Sequence, residues 1–334
     1  HAGHSVDFFA DRTVDYLASR QGEADPFFCF VPFNGPYGHW PAIRGPSQTR
    51  FDELYTDLPL DSVPREGLNR AVIDRYTQRV IEAGAAPHER FSGPLRLPND
   101  LSSLRNYFAQ TSLIDDGVGR IMAQLHASGL VEDTIVIYTA DHGFSLGHHG
   151  IWGHGLAAWP SSMRRPSYHI PLIIRGPGVA DGLNDGLVSQ LDLPNTLLRA
   201  AGAAPIDTPR HDSRIIALDD PRAPVRDMLC IEQEETRAIR TADHLYLERF
   251  NHEATERLAS ELYDLRADPE ERMDLAGRPE SAALESGLSA RLHAYFSSHA
   301  DADFDLWSGG RAKSNITNPA YWQAAWGPEW HCVT

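Results

Sequence analysis

The sequence predicts a layered α/β fold followed by a small antiparallel α+β region. Three observations carry that expectation. Amphipathic helical stretches alternate with short apolar runs, among them Thr134 to Thr139 and Ile170 to Arg175, and that alternation marks a sheet covered by helices. The first of these runs ends in a cluster of aspartate, histidine and glycine, and in α/β proteins ligands gather at strand ends. Beyond about Pro221 the pattern changes to successive strand-like runs at Met228 to Ile231, Arg237 to Arg240 and Leu245 to Glu248. Domains are therefore expected over residues 1–222 and 223–334.

Each element has its own signal. Phe8, Phe9, Val14 and Leu17 fall on roughly one face of a helix over residues 5–20. Pro26 precedes an apolar strand from Phe27 to Pro32, which would bury Cys29 as an inert core thiol. Residues 42–100 are polar and punctuated by proline, with a helix from Leu68 to Ala83. They read as an insertion over the active-site face, where loops carry specificity. Leu104, Phe108, Ile114, Val118, Ile121, Met122 and Leu125 describe a long amphipathic helix that stops at Gly129. A strand over Thr134 to Thr139 follows. A second buried strand from Ile170 to Arg175 is closed by Gly176-Pro177-Gly178. Helices follow at Leu191 to Ala201 and Glu285 to Ser297, and the tail from Ser308 has no assignment.

Composition excludes several classes. The 334 residues, 42% hydrophobic and 23% charged, are an ordinary globular mixture able to bury a substantial core. A formal net charge of −16 argues against nucleic acid as a partner, because phosphate binding needs basic surface. It leaves room for a small anionic substrate, since a pocket's local field can oppose the global one. No apolar run approaches the roughly 18 residues of a membrane span. Lys313 is the only lysine, so an active-site lysine is hardly available. Cys29, Cys230 and Cys332 show no Cys-x-x-Cys spacing and indicate no redox compartment. Asn315-Ile316-Thr317 fits the glycosylation triplet and is read as a chance match.

The segment from Thr139 to Gly155 says most about chemistry. It places Asp141, His142, His148, His149 and His154 among five glycines, directly after an apolar run. A carboxylate beside an imidazole at a strand end suits a divalent cation. It equally suits a strand-end turn in which the carboxylate accepts backbone hydrogen bonds.

The segment resembles the metal-binding Asp-Asn/His-Gly motif of the sulfatase family, within the alkaline phosphatase superfamily. Leu146 to Trp152 is similar to that family's Leu-Gly-x-His-Gly-x-Trp. Pro32 to Pro41 resembles its strand-end His-x-Pro loop, and Tyr107 to Leu125 its long helix with Asp-Asp-x-Val-Gly-Arg. Gln190 to Leu198 and Glu261 to Leu265 resemble its Asp-Leu-x-Pro-Thr-Leu-Leu and Glu-Leu-Tyr-Asp-Leu segments, in family order. The resemblance implies an alkaline phosphatase-like fold: a central mixed sheet flanked by helices, plus a small C-terminal subdomain with antiparallel strands.

What the resemblance implies about function is specific. The protein would be a sulfuric ester hydrolase acting on a sulfated carbohydrate or aryl sulfate. Asp141 and His142 would be metal ligands, of Ca²⁺ before Mg²⁺. His39 would contact the sulfate and help protonate the departing alcohol, a role suited to imidazole. His154 stands where many sulfatases carry a sulfate-binding lysine, and would act as catalytic and substrate-binding group. His149 would sit behind the metal ligands, orienting the loop, with His148 exposed. Asp115 and Asp116 lie in mid-helix and are left out of the site.

The family's nucleophile, a formylglycine in Cys/Ser-x-Pro/Ala-x-Arg, lies well before His39. Ser92-Gly93-Pro94-Leu95-Arg96 fits the short pattern but in the wrong place, and is read as a decoy. The expectation is thus a C-terminal portion of a longer sulfatase, inactive by itself. A periplasmic or secreted location is favoured by resemblance. A phosphoester or phosphonate ester hydrolase of the same superfamily, and a non-catalytic binding protein retaining the fold, stay open.

Overall fold

The computed structural model describes residues 4–36, 49–64, 66, 67, 70, 101–154, 162–207, 211–233, 235–251 and 254–310. His39, the 68–83 helix apart from residue 70, Ser92, Lys313, the 315–317 triplet and Cys332 lie outside them. The chain divides into two compact units, residues 1–162 with 166–179, and residues 163–165 with 180–334. The division at 179/180 falls upstream of the 222/223 boundary read from the sequence. The change of pattern near 223 instead coincides with the approach to an antiparallel sheet.

In the first unit, α1 (Ser5–Ser19) packs along α2 (Leu101–Ala127). His4 caps α1, its Nδ1 accepting the Val6 N–H at 3.2 Å. The buried face of α1 is Val6, Ala10, Thr13 and Leu17 rather than the expected Phe8, Phe9 and Val14. The 6/10/13/17 spacing follows the helical period, and it leaves Phe8 exposed. Val6 joins Leu113 and Ile114 of α2 in one cluster, while Leu17 joins Leu125 and Val131 in another. Asp116 forms ion pairs with Arg50 and Arg120 on this face.

The strand β1 (Val136–Thr139) precedes β2 (Ser145–Leu146) and β3 (Trp152–Gly153), and β4 (Leu172–Arg175) follows the short helix α3 (Arg165–Tyr168). β1 and β4 pair antiparallel, Val136 opposite Arg175 and Thr139 opposite Leu172. Gly176 lets the chain leave β4 close to β1, where a Cβ would stand 2.6 Å from the Thr134 carbonyl.

Two readings of the first strand are corrected. Phe27 to Pro32 has no strand pairing among the described residues. Phe28 and Phe30 are 77% exposed and Cys29 is exposed, so the thiol is not a core residue. An apolar run reads as a buried strand only if a neighbouring strand covers it. Here Phe27 packs inward, edge-on to Tyr16 and beside the Leu17 cluster, and Val31 is half-buried.

In the second unit, α4 (Asp192–Ala200) holds the segment that follows it. Asp192 is fully buried, accepts the N–H groups of Ser189 and Arg214, and pairs with Arg226. The antiparallel sheet runs β5 (Met228–Gln233), β6 (Thr236–Thr241), β7 (His244–Arg249), β8 (Glu261–Asp264) in that spatial order. β8 is a strand that sequence periodicity did not single out. The helix α5 (Ala282–His299) lays Leu288, Leu292 and Phe296 over Ile239, Tyr246 and Leu262. No helix of the described residues is long and apolar enough to cross a membrane.

Candidate active site

The site is built where β1 ends. Thr139 closes the strand, its hydroxyl donating to the Pro171 carbonyl at 2.8 Å, and Asp141 and His142 follow directly. The Asp141 side chain is 85% exposed, its Oδ1 accepting the His142 N–H at 2.9 Å. Its Oδ2 lies 3.7 Å from His142 Nε2.

His142 Nδ1 lies 2.8 Å from the Gly143 carbonyl oxygen. A carbonyl only accepts, so Nδ1 carries the proton and a neutral ring keeps its lone pair on Nε2. That lone pair and the Asp141 oxygen are thus adjacent donors. The two donors lie side by side at the strand end, 3.7 Å apart. Among the described residues no cluster of three or more His, Cys, Asp or Glu side chains could hold a metal. Two donors alone fall short of the roughly six to eight ligands that a cation such as Ca²⁺ takes.

Gly143 turns the chain away under tight constraint. Its N–H donates to Ser167 O at 2.9 Å, and a Cβ there would meet Pro166 O at 2.1 Å. Only glycine fits that approach.

The chain then forms the β2–β3 hairpin, with Ser145 opposite Gly153 and Leu146 opposite Trp152. This register returns residue 154 to the start of the loop. The His154 ring stacks on His142 with centroids 3.8 Å apart and planes 18° from parallel. Phe144 lies beside His154 and against Tyr107 of α2. Burial lowers the pKa of His154, and the neighbouring His142 lowers it further, against the opposing pull of Asp141.

The structure thus brings together Asp141, His142 and His154, while His39 lies outside the described residues. The His149 backbone has φ 57°, and its N–H donates to Glu66 Oε2 at 3.2 Å. His148 is half-buried rather than exposed, its Nδ1 accepting the Leu146 N–H at 3.4 Å. Sequence reasoning missed Glu66, Gly67 and Ser167. Gly67 O accepts the Trp152 indole N–H at 2.7 Å. No local pattern marks these residues, because they act through backbone groups or from a polar, proline-rich stretch.

Known proteins share this architecture. A structure solved in complex with its substrate D-glucosamine-2-N,6-O-disulfate matches with a TM-score of 0.66 at 20% identity, covering 91% of this chain and 71% of that one. The fold is the alkaline-phosphatase-like α/β fold. The sulfatase family model matches residues 2–203, more than half of the chain, and the chain belongs to the sulfatase family. It is 25% identical over 327 residues to the multifunctional alkaline phosphatase superfamily protein PehA of Trinickia caryophylli, covering 88% of this chain and 60% of that protein. With the N-acetylglucosamine-6-O-sulfatase of Bacteroides thetaiotaomicron it shares 28% over 216 residues, 60% of this chain and 37% of the relative. The chain thus spans less than two thirds of the length of each of these two relatives.

Proposed function

We propose that the protein is a sulfuric ester hydrolase acting on a sulfated carbohydrate or an aryl sulfate. The observation that carries the reading is the strand-end pair Asp141–His142 with His154 stacked against it. Family membership supports the reaction class, and the N-acetylglucosamine sulfatase relative supports a sulfated sugar.

In this reading Asp141 Oδ2 and His142 Nε2 hold a divalent cation, calcium before magnesium. The bound cation would supply positive charge to the ester oxygens and to the nucleophile. His142 keeps its lone pair turned outward because Gly143 O holds the opposite ring proton. His154 donates a hydrogen bond to a sulfate oxygen, and His39 protonates the leaving alcohol. The nucleophile is taken to be a formylglycine. Neither Cys29 nor Cys230 lies in the pattern that would generate one. A periplasmic or secreted location suits the reading.

The test uses the intact protein. Elemental analysis should find bound calcium, and 4-nitrophenyl sulfate should be hydrolysed faster than the matching phosphate or phosphonate ester. Asp141→Ala should remove both metal and turnover. Preference for the phosphorus esters would instead place the protein with the phosphoester hydrolases of the superfamily. Unchanged metal content in Asp141→Ala would remove the pair from the ligand set.

A further inference from the structure

We propose that Glu66 is a positioning residue of the candidate site: it holds Gly147 and His149 of the turn at 147–150 and so fixes His154 against His142. The inference rests on the roles given above to those two histidines.

The hairpin that carries His154 back to the site is weak by itself. Its ladder consists of the pairs Ser145–Gly153 and Leu146–Trp152, and so short a ribbon is at best marginal in water. Its turn is unfavourable too. Gly147, His149 and Gly150 have φ of 91°, 57° and 70°, and a side-chain-bearing residue such as His149 enters that left-handed region at a cost.

What offsets this comes from residues 60–67. The Glu66 N–H donates to Gly147 O at 3.3 Å, and Glu66 Oε2 accepts the His149 N–H at 3.2 Å. One residue thus ties the first position of the turn and its left-handed residue to the same point. The Trp152 indole bond to Gly67 O anchors the far strand, and Trp152 itself is buried with Leu60 and Val63. Gly153 at φ 94° then delivers His154 to within 3.8 Å of His142. The turn also has its own backbone bonds, Gly147 N–H to Ile151 O at 3.0 Å and Gly150 N–H to Gly147 O at 3.1 Å; loss of the Glu66 carboxylate removes a side-chain tie on its left-handed residue and loosens the hold on His154.

The test separates reach from charge in the intact protein. Glu66→Gln keeps an acceptor oxygen at the same distance without the charge. Glu66→Asp keeps the charge but withdraws it by one methylene. Amide hydrogen exchange over residues 147–150 should quicken roughly three- to tenfold in Glu66→Asp and Glu66→Ala, the effect of one lost hydrogen bond. It should stay at the wild-type rate in Glu66→Gln. On 4-nitrophenyl sulfate, kcat should fall in Glu66→Asp and recover in Glu66→Gln. Unchanged exchange in Glu66→Asp, or exchange in Glu66→Gln as fast as in Glu66→Asp, would overturn the proposal. A full-length wild-type protein inert towards sulfate esters would sink the sulfatase reading alone, because the exchange measurement still decides the role of Glu66.

Discussion

At position 143 a single methyl group is too much. A Cβ there would lie 2.1 Å from a main-chain oxygen, and backbone cannot swing aside as a flexible side chain can. Gly143→Ala should therefore destabilise the protein by about 1–3 kcal/mol, and it should lower metal content because Asp141 and His142 immediately precede the displaced residue. Thermal unfolding together with elemental analysis checks both effects; a normal melting temperature with full metal would contradict the geometry. His154 offers a gentler test. If it donates to the sulfate, His154→Ala should raise KM for an aryl sulfate and His154→Lys should restore much of the loss, since lysine also donates and is charged. Equal kinetics in all three proteins would take His154 out of the substrate contact.

At the scale of elements, the region around β6 stores its charge inside. Arg237, 1% exposed, donates to Glu232 and Asp305, and its guanidinium lies between the Phe296 and Trp307 rings at 4.0 and 4.2 Å. Burial alone would raise the pKa of Asp305. The Ser308 hydroxyl, the Arg237 charge and the Trp307 N–H together outweigh it and hold the carboxyl below its usual 3.8. A depressed carboxyl contributes stability that is complete above the unfolded value and lost as pH falls through the folded one. Urea unfolding of Asp305→Asn should thus show lower stability than wild type near pH 6, the gap closing as pH falls past the usual carboxyl value and through the lower folded one. A constant gap across that range would mean that Asp305 acts only by packing.

Some of these elements were legible in sequence and some were not. The long helix α2 and the run before Asp141 announce themselves through period and apolar content, and the glycine-histidine loop through residue type. The fate of Phe27–Pro32 was not legible, because burial of a strand depends on what pairs with it. Nor was the grip of Glu66 on His149, 83 residues along the chain, for which one sequence holds no periodic trace.

At the scale of the whole molecule, charge and connectivity matter most. The 334 residues carry a formal charge of −16, which repels a polysulfated polymer more than a small monoanion. Raising ionic strength from about 0.01 to about 0.15 M shortens the screening length from about 30 to about 8 Å. kcat/KM on the polymer should rise with salt over that range, while that on 4-nitrophenyl sulfate should change little; equal salt responses would mean that the global field is not felt at the site. Connectivity has a different consequence. Met163, Arg164 and Arg165 belong to the second unit, although the chain on both sides of them belongs to the first. Arg164 reaches Glu261 at 3.0 Å and the Tyr263 hydroxyl at 2.7 Å, and the Arg165 N–H reaches the buried Glu271 carboxylate at 2.9 Å. A recombination breakpoint at 179/180 would therefore strand Arg164 and Arg165, whose partners are encoded some hundred codons downstream. Shuffling should pass these two units on as one heritable cassette rather than as interchangeable modules.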